Sequence, residues 1–338
     1  MDRLIAANSV PQAQADTAPA TGTPQFATDG NPASNVPATR WPSYAFNAIQ
    51  EELIAILRMA GITPDRTNNA QIAAAIQALI TQSAPVVGSM RNLAMSIPTA
   101  SSSATLTADE LVVGTALGSK KYVLGSFSKS INIGNTGPGG MDTGSAPVSG
   151  FVALYAIYSP AKAAQHASDP ITYPDDGIAL LATDATTTIA PNVYAGANMP
   201  PGFSGSALVS VVPTNAGRQF AQITQRNRMI SVVNRPIIAT SSGSSTPQAY
   251  TTTAFPKNAV RVKGYSSFTT GVASTVNAGI YADAAGSDQS TVGGTFTGAQ
   301  GIAGSFDVLI GQPQTIYYTL TSSSGAPSWG ANCERYEI

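Results

Sequence analysis

The chain contains one histidine, His166, so a Ser-His-Asp triad would have to use it. The segment GFSGS at residues 202–206 comes close to the G-x-S-x-G nucleophile elbow, but Ser206 stands where the last glycine belongs and no strand-to-helix pattern follows. We therefore interpret His166 as a loop residue without a catalytic role. A metal cluster made of several histidines is excluded within one chain, whereas three copies of His166 on the axis of a trimer could bind an ion.

Adjacent carboxylates occur at Asp109-Glu110 and at Asp175-Asp176, and a pair of carboxylates is what a glycoside hydrolase needs. Neighbouring residues on a strand point to opposite faces, so adjacency argues against a shared site, and the second pair lies in YPDDG, which is typical of a turn. The Gly-rich segment GNTGPGG at 134–140 lacks the Lys-Ser/Thr of a phosphate-binding loop and precedes no helix. We predict that the chain is not an enzyme and has no catalytic residues, cofactor or metal.

Charge is scarce along the chain. Only 10% of its 338 residues are Asp, Glu, Lys or Arg, against about 25% in ordinary soluble proteins. The 17 basic and 18 acidic side chains nearly cancel, and no basic stripe of the kind that nucleic-acid binding requires is present. We therefore expect no nucleic-acid partner and a surface made mainly of Ser, Thr, Asn, Gln and Gly, which is common in extracellular fibrous or adhesive proteins.

Cysteine content and the first residues bear on stability and localisation. The one cysteine, Cys333, permits no intrachain disulfide, and we expect it to be a buried small hydrophobic residue or an inert surface thiol. The first residues, MDRLIAANSV, lack the apolar core of a signal peptide, and no run approaches the roughly 18 apolar residues of a membrane span. We therefore expect synthesis in a cytoplasm without export, and no membrane insertion.

Residues 1–42 are rich in Pro, Ala, Thr and Asn, which predicts an extended arm with a turn at residues 29–32. Such an arm buries few apolar groups by itself, so it is either disordered or ordered by wrapping on a partner. The prolines that exclude a helix or a central strand are Pro11, Pro19, Pro24, Pro32, Pro37 and Pro42.

Residues 43–82 carry the helical part of the pattern, which predicts a hairpin of two helices at about 43–60 and 68–82. Ser43 is a good N-cap, and Gly61 is well placed as the residue that ends the first helix. Asn68 followed by Gln71 resembles a capping box. Two short helices supply little core, so they would gain from packing on copies of themselves or on a docking protein. The two apolar stripes consist of Phe46, Ile49, Leu53, Ile56, Leu57 and Ala60, and of Ile72, Ala75, Ile76 and Leu79.

From residue 85 the pattern changes to short β-type runs separated by Gly, Pro, Asn and Asp, as in FVALYAIY and QTIYYTLTS. Strands at this spacing without intervening helices predict antiparallel sandwiches of the jelly-roll type. We place one such domain at residues 85–240 and a second at 241–338, with SSGSSTPQ (241–248) at the boundary. The predicted fold class is mainly β, with an N-terminal arm and helical hairpin ahead of two β-sandwich domains.

Two stretches resemble proteins of tailed-bacteriophage tails. ADTAPATGTPQFATDGNPASNVPATRWPSYAFNAIQEELIAIL, continued by AGITPDRTNNAQIAAAI, is similar to the N-terminal region of tail-fibre proteins. The run ADELVV…YVLGSFSKSINIGNTGPGGMDTGSAPVSGFVALYAIY…GIALLATDATTTIAPNVYAGANMPPGFSGSALVSVVPTN resembles a β-rich domain of tail and baseplate proteins. Together they cover about residues 15–240. Residues 241–338 would be either a variable receptor-facing tip or a second structural sandwich.

The resemblance implies a homotrimeric virion component whose N-terminus binds tail or baseplate proteins and whose remainder contacts a bacterial surface glycan or protein during adsorption. Phe26, Trp41, Tyr44 and Phe46 are the predicted attachment anchors, because aromatic side chains provide large buried area at low entropy cost. The alternative for these four side chains is packing within one subunit. Alternative functions are a tail or baseplate adaptor without a receptor site and, disfavoured by the carboxylate pattern, a surface-glycan hydrolase.

A sugar-binding site would combine an exposed aromatic side chain with amide and hydroxyl donors. Trp329 lies in GAPSWGANCERY with Asn332 nearby, and we predict these two residues as receptor contacts on a loop. The nearby tyrosines, which are either further contacts or side chains of the core and of subunit interfaces, are Tyr250, Tyr265, Tyr281, Tyr317 and Tyr318.

Overall fold

The computed structural model describes residues 3, 6–23, 26–83 and 86–338. The chain divides into two compact units, residues 1–84 and 85–338, which we call the N-terminal unit and the β unit. The predicted fold class is confirmed: strands dominate, and a helical hairpin precedes them. Within the described residues, no helix is long and apolar enough to cross a membrane.

The helical hairpin of the N-terminal unit consists of α1 (Ser43–Met59) and α2 (Gln71–Ser83). Helix α1 ends in a Schellman motif. Gly61 has φ +71°, its N–H donates to the carbonyl of Arg58 (3.0 Å), and the Ile62 N–H donates to that of Leu57 (2.8 Å). Only glycine adopts this left-handed conformation without a steric cost, so the end of the helix predicted at Gly61 is confirmed.

Helix α1 begins at residue 43 as predicted but has a different N-cap, and α2 begins three residues after the predicted position 68. Pro42 is the N-cap of α1, and Ser43 occupies the first helical position, from which its hydroxyl donates to the carboxylate of Asp16. The prediction of Ser43 as N-cap is therefore wrong, because its hydroxyl bonds to a residue of the arm and not to a backbone N–H of the first helical turn. Helix α2 begins at Gln71, and the preceding Asn68 accepts a hydrogen bond from the Ala70 N–H (2.9 Å) within the connecting loop.

The arm folds back on itself between residues 28 and 39. Asn31 and Val36 exchange both backbone hydrogen bonds (2.8 and 3.0 Å), and the chain reverses through the 3₁₀ turn Pro32–Ser34. Gly30 has φ +74°, and a Cβ there would lie 2.6 Å from the Ala38 nitrogen. The turn predicted near residues 29–32 is present, but the arm is a closed loop in this stretch and not an extended chain.

A second contact joins the arm to α1. The Arg3 guanidinium donates to both carboxylate oxygens of Glu51 (2.6 and 2.9 Å), and this hydrogen bonding lowers the pKa of the Glu51 carboxyl. The arm is thus ordered against the helix within the same chain.

Among the described residues, the β unit contains all the strands and one further helix, α3 (Pro160–Ser168). In chain order the strands are β1 (Met90–Arg91), β2 (Ala94–Ile97), β3 (Ser103–Gly114), β4 (Lys121–Asn132), β5 (Gly140–Met141), β6 (Phe151–Tyr158), β7 (Ile178–Asp184), β8 (Gly205–Pro213), β9 (Ile223–Arg226), β10 (Met229–Thr240), β11 (Ser244–Thr251), β12 (Arg261–Thr270), β13 (Ser274–Tyr281), β14 (Ser290–Phe296), β15 (Gln300–Leu309), β16 (Thr315–Ser322) and β17 (Ser328–Glu337).

These strands form two sheets. The larger sheet has the order β15-β12-β17-β10-β9-β2-β3-β8-β6-β7-β5, with β1 and β4 also paired to β3, and the smaller sheet has the order β11-β16-β13-β14. Strand β17 pairs with β10 on one side and with β12 on the other, so the larger sheet runs across the boundary predicted at residues 240/241. Residues 85–338 form one compact unit, and the separate domains predicted at 85–240 and 241–338 need correction accordingly.

The main core also crosses that boundary. One buried cluster joins Phe127 and Phe220 to Phe255, Trp329 and Tyr336, which come from both sides of residue 240. The segment SSGSSTPQ has the composition of a linker, but it carries the chain from the larger sheet to the smaller sheet over this shared core.

Strand β6 is buried on both faces. Val152 and Leu154 belong to the main cluster, whereas Phe151 and Tyr155 belong to a second cluster on the other face of the sheet. This accounts for the nearly unbroken apolar run FVALYAIY, because a strand covered on both sides needs no polar alternation. The Tyr155 hydroxyl donates to the carbonyl of Pro191 (2.9 Å), which satisfies the one polar group that the ring buries.

Candidate functional site

Three of the four predicted attachment anchors lie on the surface of the N-terminal unit. Phe26 is fully exposed, Trp41 is 64% exposed and Phe46 is 44% exposed, whereas Tyr44 is half-buried. Ile49, one turn after Phe46 on α1, is exposed as well. We call Phe26, Trp41, Phe46 and Ile49 the N-terminal apolar surface.

The exposure follows from the width of the apolar stripe on α1. Ile54 and Leu57 are buried, whereas Phe46, Ile49 and Leu53 follow one another at spacings of three and four residues along the neighbouring strip of the helix. A single partner helix covers one strip and leaves the other uncovered. The N-terminal apolar surface is therefore partly the half of the α1 stripe that the hairpin leaves open.

The core of the N-terminal unit is small. Among the side chains that the structure describes there, the fully buried apolar ones are Ile54, Leu57 and Ala75. Full burial of a large aliphatic side chain contributes about 1.5–3 kcal/mol, so covering the exposed apolar side chains of this unit would add to its stability.

Trp329 does not lie on an exposed loop. It belongs to β17, is 1% exposed, and stacks on Tyr318 with ring centroids 5.4 Å apart. The prediction of an exposed loop is wrong, because pairing with β10 and β12 makes this segment an inner strand of the larger sheet. The buried indole is not accessible to a receptor in this conformation, and receptor contact by Trp329 stays a prediction. Asn332 is half-buried, and it lies three residues further along the same strand, on the opposite face. The two side chains therefore cannot form one site.

The row of aromatic side chains that buries Trp329 ends at the surface. Tyr250 meets Tyr318 edge-to-face at 6.5 Å, Tyr318 stacks on Trp329, and Tyr250 itself is exposed. An open groove of about 480 Å³ lies beside Tyr250, between β10 and the end of β11. Tyr281 and Tyr317 are buried, as expected for tyrosines of the core.

The residues considered for catalysis are engaged in local contacts. His166 lies on α3 and not on a loop, and its Nδ1 is 2.7 Å from the carbonyl oxygen of Tyr173. Asp175 forms an ion pair with Lys162 (2.9 Å). Hydrogen bonding from the Lys162 ammonium lowers the pKa of the Asp175 carboxyl.

The other acidic residues considered for catalysis, and Ser206, also make separate local contacts. Asp176 pairs with Lys129 (2.7 Å), and Asp109 accepts a hydrogen bond from the Asn92 amide (2.6 Å). Ser206 is buried on β8, where its hydroxyl accepts a hydrogen bond from the backbone N–H of Tyr194 (3.0 Å). In the described part of the chain, no three His, Cys, Asp or Glu side chains are grouped as metal ligands would be.

Cys333 is buried on β17 within the main cluster, so the first of its two expected environments is the observed one. Burial raises the pKa of its thiol to about 12.

No family model matches the chain, and no curated protein is similar to it. Among solved structures, the mosquito-larvicidal Cry4Aa toxin from Bacillus thuringiensis is similar at a low level, with 7% sequence identity and a TM-score of 0.18. The match covers 75% of this chain and 53% of the toxin, so the chain spans about half the length of that structure. At this TM-score the likeness supports no argument about fold or activity.

Proposed function

We propose that the chain is a tail-fibre or baseplate-associated component of a tailed bacteriophage, attached to the virion through its N-terminal unit and adsorbing to the bacterial surface through its β unit. The observation that carries the proposal is the N-terminal apolar surface: aromatic and aliphatic side chains exposed beside a core of few residues. The resemblance of residues 15–76 to tail-fibre N-termini supports the same conclusion.

The chemistry of this surface suits protein–protein attachment. Exposed Trp41 and Phe46 are of the residue class that dominates interface energetics, and apolar side chains of this size are costly to leave in water. The closed loop at residues 28–39 reduces the entropy that a partner would otherwise have to remove on binding. We therefore assign this surface to contacts with two further copies of the chain and with tail or baseplate proteins.

A trimer also explains how a chain of low charge could adhere to a bacterial cell. Three β units on one particle bind a repetitive surface with an avidity that exceeds the affinity of each site, because the second and third contacts form at high effective concentration.

Self-association is tested with the double variant Phe46→Ser, Ile49→Ser. Multi-angle light scattering of the purified full chain should give a trimer for the parent protein and a lower mass for the variant. The matched control is Ile302→Ser, Leu309→Ser, which replaces two exposed apolar side chains on β15 of the β unit and should leave the mass unchanged. A parent protein that is monomeric at all concentrations would remove the trimer from the proposal.

Adsorption is tested by competition. Host cells are preincubated with the folded full chain, virions are added, and free phage are counted, with heat-denatured chain as the control. A dose-dependent rise in free phage supports receptor binding. Unchanged adsorption at saturating protein would reject the receptor-binding role and favour the alternative of a structural adaptor without a receptor site.

A further inference from the structure

A second pocket of the β unit is lined by residues from both sides of residue 240, which we call the two halves of the β unit. Its volume is about 450 Å³, which falls within the range of small-ligand sites. The 189–192 loop and Arg228 line it from one half of the β unit, and residues 257–260 line it from the other. Ile338 also lines it and donates its backbone N–H to the Arg228 carbonyl (3.2 Å).

Arg228 is a cation without an acidic partner. It lies in the turn between β9 and β10, and its guanidinium donates to the carbonyl oxygens of Gly88 (3.0 Å) and Leu208 (3.4 Å). Among the described residues, no carboxylate oxygen lies within 4.0 Å of it. Burial lowers the pKa of the guanidinium, as expected for a cation that is partly removed from water.

The Arg228 guanidinium lies close to the backbone of Gly88. Gly88 has φ +83°, and a Cβ at this position would lie 2.6 Å from Nη2 of Arg228. The guanidinium is therefore fixed by backbone carbonyls that accept hydrogen bonds but supply no net charge. Such a cation attracts an anion that reaches it from the pocket more strongly than an exposed one would.

Lys257 adds a second positive charge to the same lining. Its ammonium donates to the carbonyl oxygen of Thr187 (2.6 Å), and no acidic group pairs with it in the part of the chain that the structure describes. No Asp or Glu side chain lines the pocket, and the terminal carboxylate of Ile338, which does line it, forms no ion pair within 4.0 Å with Arg228 or Lys257. By contrast, Arg261 and Lys263 nearby in sequence both pair with Asp307 (2.6 and 2.7 Å).

The remaining walls are joined by hydrogen bonds and are partly apolar. The Asn258 side chain accepts from the Ala190 N–H (2.9 Å) and donates to the Ala190 carbonyl (2.8 Å), which locks the two halves of the lining together. Ile189 and Val260 present exposed aliphatic side chains to the pocket. A ligand that fits has an anionic group for the cations and a compact ring with apolar faces for these side chains.

We propose that this pocket binds an acidic saccharide, whose anionic group, a carboxylate or a phosphate ester, lies against Arg228 and Lys257. The assignment rests on the proposed function, in which the β unit faces a bacterial surface glycan. A guanidinium pairs with both anions in a bidentate manner, whereas a neutral sugar leaves both cations uncompensated.

The test uses the full chain and three soluble probes: glucuronate, glucose 6-phosphate and glucose. Saturation-transfer NMR and calorimetry should detect the acidic probes and not glucose, and the comparison of glucuronate with glucose 6-phosphate identifies the preferred anion. Lys257→Gln should weaken binding about tenfold, the scale of one charge-assisted hydrogen bond. Val260→Glu should abolish binding, because it places a carboxylate beside both cations.

The matched control is Val272→Glu. Val272 is 45% exposed against 52% for Val260, and it does not line the pocket. Unchanged acidic-probe binding in Lys257→Gln and Val260→Glu would overturn the assignment, as would equal loss in Val272→Glu or the absence of acidic-probe binding by the parent protein. If the parent protein blocks phage adsorption but binds no acidic probe, the pocket assignment fails and the proposed function stands. If it does neither, both fail.

Discussion

Replacing Trp329 by alanine separates a role in the core from a role in receptor contact. The indole is 1% exposed and stacked on Tyr318, and removal of a buried Trp side chain costs about 3–5 kcal/mol. For a unit of this size, each kcal/mol lowers the melting temperature by about 2–4 °C. Trp329→Ala should therefore lower it by about 6–20 °C, measured as loss of the far-ultraviolet circular dichroism of the β unit.

Trp329→Phe provides the graded companion. The smaller ring still fills most of the space, and the indole N–H, which is buried without a hydrogen-bond partner among the described residues, is removed with its desolvation cost of about 1–3 kcal/mol. We expect less than half the effect of the alanine variant. An alanine variant that melts like the parent protein but no longer blocks adsorption would refute the burial argument and support Trp329 as a receptor contact.

Three further predictions concern the arm, the thiol and one ion pair. Gly30→Ala should speed hydrogen exchange of the amides in residues 28–39 without changing the melting of the β unit, because the added Cβ lies 2.6 Å from backbone atoms at φ +74°. Cys333, whose pKa burial raises to about 12, should react with iodoacetamide only in concentrated guanidinium, as read by mass spectrometry. Hydrogen bonding from Lys162 lowers the pKa of Asp175 below the unfolded value of about 3.9, so its contribution to stability is present above that pH and is lost as the pH falls through the lower folded-state pKa. The fall in melting temperature over that acid range should therefore be smaller in Asp175→Asn.

Local sequence signals located the helical hairpin well. The end of α1 at Gly61 follows from backbone conformation alone, and the apolar spacing marks both helices. The same spacing could not reveal that Phe46 and Ile49 stay exposed while Ile54 is buried, because that depends on where α2 lies.

Non-local strand pairing explains why some predictions from the sequence were wrong in the β unit. GAPSWGAN has the Gly and Pro content of a loop, yet ladders to β10 and β12 hold Trp329 in a strand. Similarly, Arg228 and Lys257 lie far apart in the sequence and carry no shared motif, so only the fold brings them to one pocket. Pairing partners outside the local window decide such positions, and no periodicity within the window reports them.

The central place of β17 affects how the β unit can form during translation. Strands β10 and β12 each need β17 on one side, so both keep unpaired edges until residues 328–337 leave the ribosome. Long-range pairing of this kind is slow, and open strand edges recruit other nascent chains. The larger sheet is therefore completed only after synthesis of one of its inner strands, and ribosomes that stall before residue 328 should release an aggregation-prone product.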